Sequence, residues 1–473
     1  MTPSPTGLSD APQPRLWTTI RESLAGSHEG SYTEGSIDRA IVLLAIPMVL
    51  ELVLESVFAV VDVFFVARVG ADSVATVGLT ESMLTIIYAV AIGLGMGATA
   101  IVARRMGEQD PDGAAVAAVQ AIAIGLFVAV PVGLAGFSFA RPILALMGAG
   151  PDVLAHSSFT AILVGFNGVI LMLFLINAVF RGAGDAAIAM RVLMLGNTLN
   201  ILLGPCFIFG LGPLPRLGVA GAAVATNIGR GTAVIYQLFT IARGHGRIAV
   251  FRKHLRLDLP TMRGLLKLSG SGTFQILVGS TSMVGVVRIL SQFGSGALGG
   301  YTIAMRVVLF ALLPAFGVSN AAATMVGQNL GAKSPERAER AVWTAVRYNV
   351  IFLGAVGVLF LIFAPGIAAI FTSDAAVTPF AVGCLRILSL GFAFYAAGTV
   401  LSQSFNGAGD TWTPTWINLS VFWVWEIPLA WWLSTRTSLG AQGVFVALAL
   451  AFSTLAVVSA VIFRQGKWKT RTL

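Results

Sequence analysis

Charge is what this chain has least of. Of its 473 residues, 11% are Asp, Glu, Lys or Arg and 56% are hydrophobic, whereas a soluble globular domain carries about 25% charged residues. A water-soluble chain could not hide so much apolar surface, which leaves lipid as the solvent for most of it. Cysteine is nearly absent too. Cys206 and Cys384 are too few for a disulfide framework and read as small buried apolar residues. No pair among His28, His156, His245 and His254 has metal-ligand spacing, so neither a metal site nor a cofactor is predicted. No loop could cradle a nucleotide phosphate, and no nucleophile stands beside a base. Those absences argue against an ATP-driven pump and against a membrane-embedded enzyme. Residues 1–34 are polar and rich in Ser, Gly and Pro. They lack the apolar core of a cleavable signal peptide and are expected to form a cytoplasmic tail ahead of an uncleaved signal anchor.

What is abundant is the long apolar run, as in 37–66 and 342–364. Helical spans need about 20 apolar residues, whereas barrel strands need about 10 of alternating polarity. These runs do not alternate, so the expectation is an all-α integral membrane fold of twelve spans. The first six lie near 37–66, 73–103, 114–140, 157–180, 191–213 and 218–242. The second six lie near 261–291, 298–326, 341–364, 378–404, 413–434 and 440–464. The predicted division is a tail (1–34), a six-helix bundle (35–243), a linker (244–260), a second bundle (261–465) and a C-terminal tail (466–473). Only Arg68, Arg141, Arg216 and Arg436 fall in the outside loops of this topology, and Arg230, Arg288, Arg306 and Arg386 fall within spans. The other basic residues gather in the tails and even-numbered loops, which places both termini in the cytoplasm and accounts for the net charge of +9. With no RNA- or DNA-binding motif present, no nucleic-acid partner is expected.

The two halves repeat. Phe180-Arg181-Gly182-Ala183-Gly184-Asp185 returns as Phe405-Asn406-Gly407-Ala408-Gly409-Asp410. Gly107 and Pro111 return as Gly331 and Pro335, and Leu217-Gly218-Val219-Ala220-Gly221 returns as Leu439-Gly440-Ala441-Gln442-Gly443. Three pairs in one order at nearly one offset point to duplication. Six spans per half is even, so the repeats are parallel and related by an axis along the membrane normal. That arrangement suits a central cavity and alternating access.

Ionisable groups inside a span are costly and usually functional. The first span holds Glu51, Glu55 and Asp62, which fall within about 40° of one helical face. A stripe of carboxylates must face a cavity or another helix, where desolvation and mutual repulsion favour proton uptake. Pro47, fifteen residues before Asp62, permits a gating kink. In the eleventh span Glu426 stands beside Trp423 and Trp425, a setting that could hold a lipophilic cation by charge and cation–π attraction. Asp185 and Asp410 are expected to cap the helices that follow them.

These features together resemble the multidrug and toxic compound extrusion (MATE) family across essentially all spans. The resemblance rests on Gly35-Ser36-Ile37, Ala45-Ile46-Pro47-Met48, Val61-Asp62-Val63-Phe64-Phe65-Val66, Val326-Gly327-Gln328-Asn329-Leu330-Gly331-Ala332 and the two Gly-Ala-Gly-Asp corners. Gly196-Asn197-Thr198-Leu199-Asn200-Ile201 followed by Gly204-Pro205 is similar to the fifth span of the DinF-like branch. The resemblance implies a V-shaped pair of bundles in the plasma (inner) membrane. It implies export of small amphipathic or cationic compounds by a monomer, driven by inward H⁺ or Na⁺. It also implies that Asp62 binds the coupling cation or proton, with Glu55 as a polar partner and Asn177, Asn200 and Thr226 completing the site. Gly204 departs from the family, whose branch carries an aspartate there. Glu51 or Glu55 is expected to supply the missing charge, and loss of a hard oxygen ligand tilts the expectation toward protons. The alternative branch carries acids where this chain has Gly279 and Tyr395. Tyr395 joins Glu426, Trp423 and Trp425 in the expected substrate cavity. A flippase for lipid-linked or polysaccharide precursors is the rival reading, disfavoured because the first-half cavity looks acidic.

Overall fold

The structure is a computed structural model that describes residues 16–26 and 32–472. Most of the predicted N-terminal tail, with Arg15 and His28, lies outside the described residues. Within them the chain is built from helices. The first half runs Ile37–Ala67, Ala71–Gly107, Pro111–Leu146, the bent pair Ser157–Gly165 and Asn167–Ala183, Ala186–Phe209 and Val219–Arg243. The second half runs Leu259–Leu290, Ser295–Gly331, Pro335–Phe371, the bent pair Thr378–Leu390 and Phe392–Gly407, Trp412–Arg436 in three pieces, and Ala441–Arg464. These are the first to twelfth spans below. Ten are long and apolar enough to cross a membrane when each bent pair is one span. In the sixth, Asn227 and Arg230 hold the hydropathy down. The eleventh is interrupted by a π-helical stretch, Leu419–Glu426.

Local chemistry sets the boundaries. The Ser36 side chain accepts from the Arg39 amide to open the first span. Pro111 and Pro335 stand in the first turns of the third and ninth spans, where a missing N–H costs nothing. The repeat is written in the backbone as well. Gln109 and Lys333, both non-glycine residues, adopt left-handed conformations (φ 58° and 56°) at equivalent turns. Gly218 and Gly440 open the sixth and twelfth spans with matching φ of 58° and 52°. The fourth span bends by 42° and the tenth by 56°. The breaks, at Phe166 and Gly391, occupy corresponding places in the two halves.

The halves close on one another at the face where the first span begins and the twelfth ends. A Cβ on Gly107 would collide with the Gln328 carbonyl, and one on Gly331 with that of Arg104. Ile41, Leu44 and Met48 of the first span pack in one core with Met325, Val326 and Phe405 of the second half. Arg337 reaches the Gly35 carbonyl (2.9 Å), and Arg104 reaches that of Arg471 (3.1 Å). The repeated aspartates serve this face and do not cap helices as expected. Asp185 accepts from the Arg247 amide (2.5 Å), and Asp410 from Thr413 (2.7 Å) and Arg471 (3.2 Å). Each corner thus holds the segment that follows its own half. One helix was not foreseen: Leu16–Ala25 lies within the predicted tail and buries Thr19 and Ser23. Its polar composition conceals the helical spacing of Trp17, Ile20 and Leu24.

Candidate functional site

The acidic stripe of the first span forms, but it does not stand alone. Glu51 is 4% exposed. Its Oε1 accepts from Arg181 (2.6 Å) and Asn177 (3.0 Å), while Gln237 donates to the Asn177 carbonyl oxygen (2.6 Å). One turn further on, Glu55 Oε1 accepts from Arg230 at 2.6 Å, and Arg230 also donates to the Tyr88 hydroxyl (3.1 Å). The Arg230 guanidinium lies 4.9 Å over the Phe58 ring, is itself buried, and is within electrostatic reach of Asp62. Asp62 is half-buried, and no described group hydrogen-bonds it. In both glutamates the second oxygen, Oε2, is buried without a partner.

Of the six residues assigned to one site, hydrogen bonds join Glu51 with Asn177 and Asn200 with Thr226, and none joins either pair to Asp62. Asn177 serves Glu51, about 16 Å from Asp62 along the helix at 1.5 Å per residue. Asn200 donates to Thr226 at 2.8 Å, joining the fifth and sixth spans to each other. One expectation needs correcting: the stripe is less negative than it reads, because Arg181 and Arg230 each neutralise one glutamate and leave Asp62 as the one carboxylate of the three without an ion pair. Burial explains both pairs, since a carboxylate out of water must be paired or neutralised. The acidity that argued against anionic cargo is therefore reduced to Asp62. Arg230 could have been suspected from its place inside a span. Arg181 reads as the end of a helix, and nothing in the sequence shows it turning inward.

Two adjoining cavities of about 300 Å³ each lie along this region. The first runs between the halves, with Glu51 and Arg181 on one wall and Asn320, Gln403 and Asn406 on the other. The second lies in the C-terminal half and holds Glu426, Tyr395 and Gly279. Trp423 and Trp425, expected beside Glu426 in this cavity, do not line it. Trp423 donates to the Val278 carbonyl (3.0 Å), and Trp425 is 46% exposed. In an α-helix Trp423 would stand about 60° from Glu426. The wider π turn carries it further round and leaves Phe422 on the cavity wall instead. Pro47 is buried within an unbroken helix. Among the described residues no three His, Cys, Asp or Glu side chains group as a metal site.

A duplicated helical bundle with cavities at and beside the junction of its halves is the architecture of a secondary membrane transporter. The MatE family model matches residues 47–206 and 273–432, once per half. The chain therefore belongs to the MATE family, whose members are integral membrane transporters and not enzymes. Among similar curated proteins, the probable multidrug resistance protein YoeA of Bacillus subtilis is 24% identical, covering 93% of this chain and 96% of that protein. The probable multidrug resistance protein NorM of Thermotoga maritima is 26% identical, with 92% and 94% covered. A protein of Shewanella oneidensis named FAD transporter is 22% identical, with 83% and 87% covered. A crystal structure of MATE in complex with MaL6 superposes with a TM-score of 0.87 at 25% identity, covering 93% of this chain and 98% of that one.

Proposed function

We propose that the chain is a proton-driven antiporter that exports small amphipathic or cationic compounds. It acts as a monomer in the plasma membrane, with both termini and the closed basic face cytoplasmic. The observation that carries the coupling claim is the vacant, buried Oε2 on both Glu51 and Glu55. A proton can settle on either oxygen without first displacing the guanidinium held by Oε1. Sodium would need several oxygens in one shell, and here one oxygen of each glutamate already serves an arginine. Protonation of Glu55 weakens its hold on Arg230 and strengthens the pull of Asp62, the other carboxylate in reach. That exchange would shift the first span against the sixth, with Pro47 as the place where it can bend. Asp62, Glu55 and Glu51 are the proposed coupling residues. Asn177 orients Glu51, and the Asn200–Thr226 pair fixes the neighbouring helices.

The test is uptake of a fluorescent organic cation into everted vesicles under a pH gradient or a sodium gradient imposed separately. Uptake driven by pH alone supports the reading; uptake driven only by sodium overturns it. A second reading, transport of an anionic amphipath or of an anionic lipid-linked precursor, draws support from Arg181 on the inter-half cavity wall. The relative named for FAD makes flavin dinucleotide the probe for that arm.

A further inference from the structure

The segment that joins the two halves is tied down along the third span. Gln120, a fully buried residue of that span, holds it at two points. Its Nε2 donates to the Arg256 carbonyl (2.7 Å), and its Oε1 accepts from the Asp258 amide (3.3 Å). His254 is 3% exposed. Its Nδ1 accepts from the Phe251 amide (3.1 Å), and its Nε2 lies 3.0 Å from Asp112. The side chains left pointing outward are apolar: Leu255, Leu257 and Leu259 are 66%, 77% and 63% exposed. The patch continues onto the seventh span, where Leu259, Arg263 and Leu266 share one face at i, i+4 and i+7. Arg252, Arg256 and Arg263 are exposed, and their guanidinium groups have no hydrogen bond or ion pair with any described residue. The nearby carboxylates are engaged, Asp112 by Lys253 (2.7 Å) and His254, and Asp258 by Thr261 (3.0 Å).

Depth decides what this surface meets. The third span has 36 residues, about 54 Å of helix at 1.5 Å per residue, against a hydrocarbon core of about 30 Å. Shared equally, the overhang sets the lipid boundary about 12 Å from each end. Gln120 lies about 14 Å along the helix from Pro111. Leu257, held between the two residues bonded to Gln120, therefore sits where acyl chains meet headgroups. We propose that this segment binds an anionic phospholipid. The acyl chains lie along Leu255, Leu257 and Leu259, and the phosphate draws on the free guanidiniums of Arg252, Arg256 and Arg263. A guanidinium can meet two phosphate oxygens at once. A zwitterionic headgroup adds an ammonium that the same arginines repel. Exposed apolar residues interleaved with basic ones are the pattern of an interfacial anchor. A merely basic loop attracts anionic lipid diffusely, whereas this one is ordered in advance by Gln120 and His254, so binding spends little on ordering it.

Binding is measured without cargo or gradient, so its failure leaves the export reading untouched. Native mass spectrometry of the purified full chain in detergent would titrate palmitoyl-oleoyl phosphatidylglycerol against the phosphatidylcholine of the same chains. The first phosphatidylglycerol is expected to bind at least about tenfold more tightly, as expected where several basic residues act together. The triple variant Arg252→Gln, Arg256→Gln, Arg263→Gln should erase most of that preference. A control of equal charge, Lys333→Gln, Arg340→Gln, Lys467→Gln, should keep it. Leu257→Asn should weaken phosphatidylglycerol several-fold while the preference over phosphatidylcholine persists, because the arginines remain. Inorganic phosphate at the lipid's concentration should displace none of it. Equal affinity for the two lipids, a preference that survives the arginine substitutions, or an equal loss in the control overturns the proposal. So does unweakened binding in Leu257→Asn, or displacement by inorganic phosphate, which would make this a site for the free anion.

Discussion

The two halves share a backbone and have opposite charge plans. In the first half, carboxylates cluster on the first span and two of them are held by arginines, Glu51 by Arg181 and Glu55 by Arg230. In the second half, the equivalent seventh span, Leu259–Leu290, holds no carboxylate. Apart from Asp410 at the corner before it, the buried acid of the described second half is Glu426, which stands on the eleventh span with no hydrogen bond or ion pair to a described residue. The fifth span, which corresponds to the eleventh, has no acid either. Duplication thus supplied one scaffold twice, and each copy carries carboxylates on a span where the other has none. On the proposed reading, the paired carboxylates of the first half exchange partners when they take a proton, which assigns coupling to that half.

The comparison is broken most completely at Asp62. Asp62→Asn should bring pH-driven cation uptake down to the vesicle background while the protein still inserts in the membrane. Uptake at the wild-type rate would remove Asp62 from the coupling residues. Next in size is Arg230→Met, which strands Glu55 in a half-buried position. Removing one partner of a buried ion pair costs about 3–5 kcal/mol, readable as a fall in thermal unfolding temperature in detergent. The double variant Arg230→Met with Glu55→Gln should recover most of that loss. If it does not, Arg230 acts through Tyr88 and Phe58 and the pair is not the unit.

Glu51→Gln tests the first-half wall more gently. Glutamine can keep the hydrogen bond from Asn177 but cannot neutralise Arg181. Cation export should fall several-fold, and uptake of an anionic probe such as flavin dinucleotide should rise; equal loss of both would make Glu51 a purely structural residue. The smallest effect belongs to Trp423→Phe. It removes one hydrogen bond to the Val278 carbonyl, a loss of about 1 kcal/mol, and should leave cation export unchanged. A drop in export would restore the tryptophan to the cargo site.

The contrast also shows what a sequence of this kind makes legible. The spans, the repeat and the acid stripe follow from hydropathy, register and 100° helical steps, all local properties. The partners do not. Arg230 lies 175 residues from Glu55 and Arg181 lies 130 from Glu51, so only the packed bundle reveals that two of the stripe's three carboxylates are neutralised. Glu426 was legible as a buried acid, but its neighbours were misplaced, because regular α-helical stepping cannot anticipate a π stretch at Leu419–Glu426. The unpartnered oxygens of Glu51 and Glu55 were invisible, since an orphan is defined by the absence of a partner elsewhere in the chain. The helix Leu16–Ala25 was hidden in a segment whose composition reads as tail.

The central claim is that protons, received by the first-span carboxylates, drive export. It is tested most directly in proteoliposomes that contain the purified chain and a trapped pH-sensitive dye, in sodium-free buffer with the membrane potential clamped. A cargo gradient is then imposed across the membrane. The account predicts proton movement opposite to the cargo in the wild type and none in Asp62→Asn. Cargo movement at an undiminished rate with no proton counterflow, or a requirement for sodium, would contradict it.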